Sequence, residues 1–212
     1  DLGSVITRIF GVAVNYDCEL AESNPLIETV NGGFVAADFR ILLDDNALYR
    51  HREYQQAGRE ADRELTMLES KAREKGLAYV DLEGDIGIVG NGAGLVMATL
   101  DAIQHHGGKP ANFCDMGGGA DVERIVSGME LVLSKSQVRV LFLNVLGGIT
   151  RCDDVAKAVV NIKERGQIKI PIVIRMVGTN EEAGKSILSK AGIQALDSME
   201  EAAREAVAAA KR

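Results

Sequence analysis

The stretch that decides the fold is GDIGIVGNGAGLVMATLDAIQHHGGKPANFCDMGGGADVERI, residues 84–125, followed by VRVLFLNVLGGITR, residues 138–151. It contains three glycine-rich turns, at residues 91–94, 116–119 and 147–150. Each turn follows a β-like apolar run and begins a helix-like stretch. The ends of three strands, with free backbone N–H groups, are therefore predicted to lie at one edge of a sheet. Because helix N-termini carry unpaired N–H donors and the positive end of the helix dipole, this edge is predicted to bind an anion.

The same alternation of strand and helix patterns continues to the end of the chain. Residues 138–145 form a continuous apolar run, which is typical of a strand buried on both faces. Capping-box patterns at residues 179–182 and 198–201 predict two further helix starts. A five-stranded parallel sheet with helices on both faces is therefore predicted, and such α/β sheets bind ligands outside the carboxyl ends of their strands. The predicted strands are 86–89, 111–115, 138–145, 170–176 and 193–196.

The region before this alternation is organised differently. A glycine pair at residues 32–33 predicts a hairpin turn, with residues 34–37 as the return strand. Residues 42–78 are charged and helix-prone with few apolar positions, which indicates a solvated helical connector. We therefore predict two parts, residues 1–78 and a second domain of residues 79–212.

Composition narrows the class of partner. The chain has 212 residues and a net charge of -7, and its 46% apolar content is enough for an ordinary core. The acidic balance argues against a nucleic-acid partner, because nucleic-acid binding depends on basic surfaces. No apolar run reaches the roughly 20 residues that a membrane span needs. We therefore expect neither nucleic acid nor membrane as a partner.

Cysteine usage points to the redox compartment. The three cysteines are an odd number and show no Cys-x-x-Cys spacing, which favours a reduced, cytoplasmic chain. The sequence starts at Asp1 rather than at methionine and shows no signal peptide. Since its first residues already resemble the interior of a fold, we expect a piece of a longer polypeptide.

The glycine turns admit a structural as well as a functional interpretation. The first turn, from Asn91 to Gly94, lacks the spacing of the dinucleotide fingerprint, and a single such turn serves tight packing more often than ligand binding. The third turn strengthens the functional interpretation because it leads through Thr150 directly into Arg151 and a helix. Thr150 with Asp153 also fits a helix-capping pattern, which is the structural alternative for that threonine.

Three polar residues upstream suggest a metal site. Asn24 and Asp38 face each other across the predicted hairpin and offer hard oxygen ligands for Mg²⁺, with nucleotide phosphates completing the shell. Glu22 lies two residues before Asn24, on the same face of an extended strand. All three residues also fit ordinary turn and surface positions.

The histidines and cysteines suggest no nucleophile. His105 and His106 lie at a predicted helix end, where a surface pair facing the helix dipole is expected, and His51 lies in the charged connector and is expected to be solvated. Cys114 is predicted to lie in the core, and Cys152 at a helix start with a slightly lowered pKa. The sequence shows no Ser/His/Asp set and no His/Cys metal cluster.

Taken together, these motifs resemble a known family. The runs NGAGLxMxTxD (91–101), HGGxPANFxDxGGGAxxER (106–124) and NxxGGIxRCD (144–153) are similar to the β subunit of succinyl-CoA synthetase, the ADP- or GDP-forming succinate–CoA ligase of the tricarboxylic acid cycle. Upstream, ESNPLI (22–27) and NALYR (46–50) also resemble that family. The resemblance covers nearly the whole chain. It implies the end of an ATP-grasp nucleotide domain followed by a flavodoxin-like domain that meets the α subunit.

The resemblance also implies roles for individual residues upstream. Asn24 and Asp38 match the Mg²⁺ ligands of the nucleotide site. Glu22 matches the catalytic glutamate that meets the phosphohistidine near the nucleotide. Most of the nucleotide pocket would lie outside this chain, so ATP and GTP are not distinguished.

Further roles are implied at the sheet edge. Asn91 matches a substrate-binding asparagine, and Gly148, Ile149 and Thr150 match the substrate loop. The helix after that loop matches the one whose N-terminus helps to hold the phosphohistidine of the α subunit. Neither that histidine nor the main CoA site is expected in this chain, so the chain by itself is expected to be inactive.

The sequence departs from the family pattern at two places. Phe39-Arg40 follows Asp38 where many members have Gly-Lys or Ala-Lys, and this leaves the metal ligand intact. Thr150 stands where many members have valine, which leaves succinate, malate and citrate open as the acid. The implied function is an acid–thiol ligase. Its alternatives are a malate–CoA ligase, an ATP-citrate-lyase-like subunit, a non-catalytic flavodoxin-like ligand-binding module and a purely structural assembly domain.

Overall fold

A computed structural model describes residues 1–54 and 65–212. The chain divides into two compact units, Asp1–Glu64 and Leu65–Arg212. The whole predicted α/β alternation therefore lies within the second unit.

The described residues of the first unit form one helix and four short strands. β1 pairs antiparallel with β4, and β2 pairs antiparallel with β3. The β2–β3 hairpin turns through Gly32, whose positive φ of 74° suits glycine, so the predicted hairpin is confirmed. The elements are α1 (Leu2–Asn15), β1 (Cys18–Glu22), β2 (Leu26–Glu28), β3 (Phe34–Ala36) and β4 (Arg40–Leu43).

The predicted helical connector, residues 42–78, is only partly helical. Its first residues complete β4, because Leu42 and Leu43 pair with β1, and 3-10 turns follow at Asp45–Ala47 and Arg52–Tyr54. Residues 55–64 lie outside the described residues. Helix α2 (Met67–Glu74) then begins in a complete capping box that Thr66 and Glu69 form.

The first unit buries little of its surface. Ala47 is the one buried residue among those of this unit whose burial is described. Along α1, apolar side chains spaced four residues apart are exposed, and they are Leu2, Ile6, Phe10 and Val14. Such limited burial contributes little against the conformational entropy that folding removes.

We therefore expect trypsin to cleave the native chain within the first unit long before it cleaves the second. Mass spectrometry of a digestion time course should show a resistant fragment that contains residues 78–212. Peptides of the first unit that persist as long as that fragment would contradict the expectation.

The second unit is built around one six-stranded sheet. Its strand order is β10-β9-β8-β6-β7-β5, and all pairs are parallel except β5–β7. The strands are β5 (Ala78–Asp81), β6 (Ile86–Gly90), β7 (Asn112–Asp115), β8 (Val140–Gly147), β9 (Ile172–Gly178) and β10 (Ala195–Leu196). The helices after α2 are α3 (Ala93–His105), α4 (Val122–Leu133), α5 (Cys152–Glu164), α6 (Glu181–Lys190) and α7 (Met199–Ala210).

The five parallel strands have the flavodoxin-like order. With β6 as the first strand of the parallel set, the order across the sheet is 2-1-3-4-5. The chain therefore reverses its direction of winding between β6 and β8. Ligands of such sheets bind at this switch point, outside the carboxyl ends of the strands.

Local signals explain why the predicted elements form. In β8 every residue except Leu146 is buried, as a central strand covered on both faces requires. Helix α3 ends where Gly107 takes a φ of 75° and the Gly108 N–H donates to the Ile103 carbonyl, so the predicted glycine stop is confirmed. The five predicted strands and the five helices that follow them are all present.

The sheet has a sixth strand that the sequence analysis did not predict. β5 runs antiparallel along β7 at one edge, where a domain boundary was expected. It is held by Lys135, which is only 8% exposed and whose ammonium group donates to Asp81 Oδ1 at 2.5 Å, to the Ala111 carbonyl at 2.8 Å and to the Leu82 carbonyl. Mixed sheets commonly carry such an antiparallel edge strand.

Helices cover both faces of the sheet. Helices α2, α4, α5 and α6 pack against one face, and α3 and α7 pack against the other, each over its own apolar cluster. The α/β fold class is thus confirmed. Across the described ranges, no helix is both long and apolar enough to cross a bilayer.

Candidate functional site

The carboxyl ends of β6, β7, β8 and β9 bring four loops together at the switch point. Each strand continues almost at once into its helix or loop, so the connecting loops are only a few residues long. Short loops leave the helix N-termini close to the sheet edge. The residues predicted for substrate binding, Asn91 and the loop of Gly148, Ile149 and Thr150, follow β6 and β8.

One N–H group in each of the first two glycine turns is already engaged by a carboxylate from within the chain. Asp115, the last residue of β7, accepts from the Gly92 N–H at 2.6 Å and from the Gly117 N–H at 2.7 Å through the same Oδ1. The prediction of bare N–H groups is therefore wrong for Gly92 and Gly117, whereas the Ala93 and Gly94 N–H groups of the first turn make no hydrogen bond within the described residues. The reason is local, because β7 ends in an acid beside both turns.

Asn91 bridges the ends of β6 and β8. Its Oδ1 accepts from the Leu146 N–H at 3.0 Å, and its Nδ2 donates to the Leu146 carbonyl at 2.9 Å and to Thr150 Oγ1 at 3.4 Å. Both N–H groups of the amide are thus engaged within the chain, and Oδ1 retains one further lone pair. Asn91 and Thr150 are in direct contact, as members of one site should be.

Thr150 ties the second turn to the third. Its side chain is buried, and Oγ1 accepts from the Gly119 N–H at 3.0 Å. The capping interpretation of Thr150 with Asp153 is wrong, because α5 has Arg151 as its N-cap residue and no side-chain cap. A valine at this position would remove the hydrogen bond to Gly119.

The third turn is open. The backbone N–H groups of Ile149, Thr150 and Arg151 make no hydrogen bond to any residue in the described part of the chain. They lie directly before the N-terminus of α5, where the helix dipole adds positive potential. The exposed guanidinium of Arg151 lies beside them. The free N–H groups and the helix dipole of this turn are therefore suited to bind a carboxylate or a phosphate.

The glycines at this sheet edge differ in whether a side chain would fit at their position. Gly147 and Gly178 pair at the ends of β8 and β9, and a Cβ on Gly178 would lie 2.2 Å from the Gly147 carbonyl oxygen. Gly148, in contrast, has no described atom within 4 Å of an added Cβ, and its φ lies outside the left-handed region. Neither packing nor backbone conformation requires glycine at position 148. A ligand that approaches the backbone would require it.

The loop after β9 fastens the third turn from the other side. The Thr179 N–H donates to the Gly147 carbonyl at 2.7 Å, and its hydroxyl donates to the Gly148 carbonyl at 2.9 Å. The capping box predicted at residues 179–182 is wrong, because Asn180 is the N-cap residue of α6 and makes no side-chain cap. Thr179 instead forms hydrogen bonds to the loop after β8.

Cys152 departs from its predicted chemistry. It lies at the start of α5 as expected, but it is fully buried, and burial raises the pKa of its thiol, with Glu181 and Asp153 adding to the effect. The predicted lowering of this pKa is wrong because desolvation outweighs the helix N-terminus. Cys114 is buried in the core as predicted, and burial raises the pKa of its thiol to about 12.

We therefore expect N-ethylmaleimide at neutral pH to leave Cys114 and Cys152 unmodified in the native chain. The thiolate is the reactive form, and both thiols are protonated and fully buried. Half-buried Cys18 is the internal comparison and should react first. Mass spectrometry after timed labelling, with a urea-unfolded sample as the control, would measure this, and fast labelling of Cys152 would contradict it.

The histidines take up positions that supply no nucleophile at this edge. His106 is the C-cap residue of α3, and its Nε2 lies 2.7 Å from Glu200 Oε1, which agrees with the predicted helix-end position. His51 was expected to be solvated, but its ring is largely buried and its Nε2 lies 2.8 Å from Asp17 Oδ2. The expectation failed because His51 packs beside Tyr16 and bonds to Asp17 within the first unit.

The predicted upstream residues lie in the first unit. Asn24 and Asp38 flank the open end of the β2–β3 hairpin, where the Ser23 hydroxyl donates to the Asp38 carbonyl at 3.1 Å. The Asp38 carboxylate accepts from the Phe39 N–H at 2.8 Å, which fixes its orientation. Glu22 ends β1 and is paired in register with Arg40.

This donor set fits part of a magnesium shell. Asn24 and Asp38 are exposed and supply hard oxygen atoms, the ligand type that Mg²⁺ prefers. Within residues 1–54 and 65–212, no group of three or more His, Cys, Asp or Glu side chains is placed to hold a metal ion by itself. Any Mg²⁺ bound here would therefore complete its shell with water and phosphate oxygens, as it commonly does.

Sequence analysis missed three residues that build this edge. Asp115 bonds to one N–H group in each of two turns, Asp153 accepts four hydrogen bonds, and Asn180 adopts a left-handed conformation with a φ of 61°. Asp115 carried a usable signal, since an acid at the end of a strand and directly before a glycine turn can accept from that turn. Asp153 and Asn180, which bond to each other, lie too far apart in sequence to be paired by pattern.

Comparison with known proteins agrees with this architecture. Residues 89–209, more than half of the chain, match the model of the CoA-ligase family. The succinate–CoA ligase [ADP-forming] subunit beta of Pyrobaculum calidifontis is 47% identical over 98% of this chain and 55% of its own length. The subunit of the same name from Ignicoccus hospitalis is 50% identical over 98% of this chain and 54% of its own length. The chain thus spans about half the length of the curated relatives it matches.

Solved structures show the same fold. ATP citrate lyase from Methanothrix soehngenii, in complex with citrate and coenzyme A, matches with a TM-score of 0.72 at 19% identity, over 96% of this chain and 58% of that chain. A dinucleotide-forming acetyl-coenzyme A synthetase from Ca. Korarchaeum cryptofilum matches with a TM-score of 0.52 at 23% identity, over 63% of this chain and 34% of that chain. At these identities the likeness concerns the fold alone. The motif resemblance to succinate–CoA ligase β subunits is confirmed by the curated relatives, and the match of the family model shows that the chain belongs to the CoA-ligase family.

Proposed function

We propose that this chain is a portion of the β subunit of an ADP-forming succinate–CoA ligase, which interconverts succinate and succinyl-CoA at the expense of ATP. The observation that carries the proposal is the open third turn. It has three successive N–H groups without a hydrogen bond in the described chain, directly before the N-terminus of α5, and no side chain at Gly148 covers them. The names of the curated relatives support succinate as the acid and ADP as the nucleotide product.

The third turn would act by binding and orientation. In the direction of ATP formation, phosphate attacks the acyl carbon of succinyl-CoA and CoA leaves as the thiol. The acyl phosphate then passes its phosphoryl group to a histidine of the α subunit, and ADP accepts it from there. The N–H groups of Ile149, Thr150 and Arg151 would stabilise the negative charge of the carboxylate or the phosphoryl group during these transfers.

Other residues would fill supporting roles. Asn91 would hold the turn through Leu146 and could accept a hydrogen bond from the ligand with its second Oδ1 lone pair. Asn24 and Asp38 would hold Mg²⁺, which neutralises phosphate charge when it is bound. Glu22 would meet the phosphohistidine near the nucleotide. The α subunit would supply that histidine and the main CoA site.

The test is reconstitution with the partner subunit. The full-length β chain and its α subunit, expressed together, should release ADP from ATP over repeated turnovers only when both CoA and succinate are present. Malate and citrate serve as comparison acids, GTP as the comparison nucleotide, and the 212-residue chain alone as the inactive control. A stable complex that forms no succinyl-CoA would contradict the proposal. Turnover by the isolated chain would contradict the assignment of the histidine and the main CoA site to the α subunit.

A further inference from the structure

A buried carboxylate lies directly behind the open turn. Asp153 is 8% exposed, and all of its oxygen lone pairs are engaged. Oδ1 accepts from Arg151 Nε at 3.1 Å and from Asn180 Nδ2 at 3.0 Å, and Oδ2 accepts from Arg151 Nη2 at 3.1 Å and from Lys157 Nζ at 3.3 Å. With four bonds to two oxygen atoms, this carboxylate has no capacity left for a ligand.

These bonds connect two loops of the edge. Arg151 belongs to the loop after β8, and Asn180 belongs to the loop after β9. The same two loops are joined by the Cys152 N–H, which donates to the Thr179 carbonyl at 2.9 Å, and by the Thr179 N–H, which donates to Gly147. Asp153 is the one charged side chain in the described chain that bonds to both loops at once.

An acid at this position is electrostatically unfavourable for an anion site. Asp153 and Asp154 bring two negative charges to the first turn of α5, and Arg151 and Lys157 neutralise them. Asp153 therefore does not favour the binding of an anion through its own charge. Hydrogen bonds from Arg151 first, and then from Asn180 and Lys157, hold the pKa of Asp153 far below its usual range, so the carboxylate stays charged.

We propose that Asp153 is a positioning residue for the anion-binding turn. It orients the Arg151 guanidinium and holds the β8 loop against the β9 loop through Asn180, without touching the ligand itself. The inference rests on the proposed function, because it presumes that residues 148–151 receive the anion. A turn fixed before the ligand arrives loses less conformational freedom on binding, so loosening it should weaken affinity.

Asp154 offers a matched control. It is the next residue of the same helix turn and carries the same charge, but its side chain is 30% exposed against 11% for Asp153. It contacts Lys157 at 2.8 Å and Arg151 at 3.6 Å and makes no bond to the β9 loop. Asp153→Asn and Asp154→Asn thus remove the same charge, and only the first acts on the link between the loops.

The first measurement uses the 212-residue chain itself. Amide hydrogen exchange in peptides spanning residues 147–153 and 178–182 should be faster by roughly tenfold or more in Asp153→Asn than in wild type, because the Cys152 and Thr179 bonds open more often. Asp154→Asn should match wild type. Equal exchange in all three proteins would overturn the proposal.

The second measurement uses the full-length β chain assembled with its α subunit. Asp153→Asn should raise the apparent KM for succinate or phosphate on the order of tenfold while kcat changes less, and Asp154→Asn should change neither appreciably. A purely structural role would lower the amount of active enzyme and leave KM unchanged, which would overturn the positioning role. If wild-type assembly shows no ligase turnover, the proposed function fails, and hydrogen exchange alone decides whether Asp153 holds the loops.

Discussion

Replacing Lys135 with methionine is expected to lower the free energy of unfolding of the second unit by about 3 kcal/mol. The substitution leaves Asp81 without its cation and the Leu82 carbonyl without a donor, while the Ala111 carbonyl keeps its bond from the Leu82 N–H. The estimate lies at the low end for a broken buried ion pair because the Asp81 side chain remains 27% exposed to water. Urea unfolding followed by far-UV circular dichroism would measure the change.

Two control variants make this expectation specific. Lys109 is an exposed loop lysine whose side chain makes no hydrogen bond or ion pair with the residues that the structure describes, and Lys109→Met should stay within about 0.5 kcal/mol of wild type. The double variant Asp81→Asn/Lys135→Met should recover part of the loss, since it removes the uncompensated charge and leaves only the Leu82 carbonyl unsatisfied. A Lys135→Met chain as stable as Lys109→Met would show that the buried ammonium contributes nothing.

Replacing Gly148 with leucine is expected to abolish most ligase turnover while leaving the fold intact. No described atom lies within 4 Å of a Cβ at this position and its φ is ordinary, so stability should stay within about 0.5 kcal/mol of wild type. The larger side chain would cover the N–H groups of the third turn and displace the anion. Loss of such donors costs roughly 100-fold or more in turnover, and the coupled assay on the assembled enzyme would measure it.

The control for this variant lies at the opposite edge of the sheet. Ser136 is an exposed turn residue shortly before β8, at the amino ends of the parallel strands, and Ser136→Leu should leave turnover unchanged. Gly148→Ala should fall between wild type and Gly148→Leu, because a single methyl group covers less of the turn. Full activity in Gly148→Leu would show that the third turn is not part of the ligand-binding site.

Strong local periodicity explains what the sequence predicted well. β8 and its neighbours carry continuous apolar runs, and Gly107 supplies the helix stop that such a pattern needs. The parallel sheet, its helices and the grouping of Asn91 with Thr150 follow from these signals together with the rule that strand ends meet at one edge. The chemical identity of the site came from the motif resemblance instead.

Contacts between distant residues explain what the sequence could not predict. β5 was not predicted because it is only four residues long and lies at the expected domain boundary, and the Lys135 side chain that fixes it lies more than 50 residues away. Likewise, Thr150 and Thr179 matched capping patterns, yet each bonds to a neighbouring loop. A short polar side chain satisfies whichever N–H or carbonyl the fold brings closest, and local patterns do not show which one that is.

The carboxylate of Asp115 makes the electrostatic potential differ between the two sides of this sheet edge. It bonds to one N–H group in each of two glycine turns and adds negative charge there, while the N–H groups of the third turn make no hydrogen bond within the described residues. An anionic group is therefore favoured at the third turn and disfavoured beside Asp115. A ligand with one charged and one neutral end would bind in one orientation, with its charged end at the third turn, and repulsion would contribute to that choice as much as attraction.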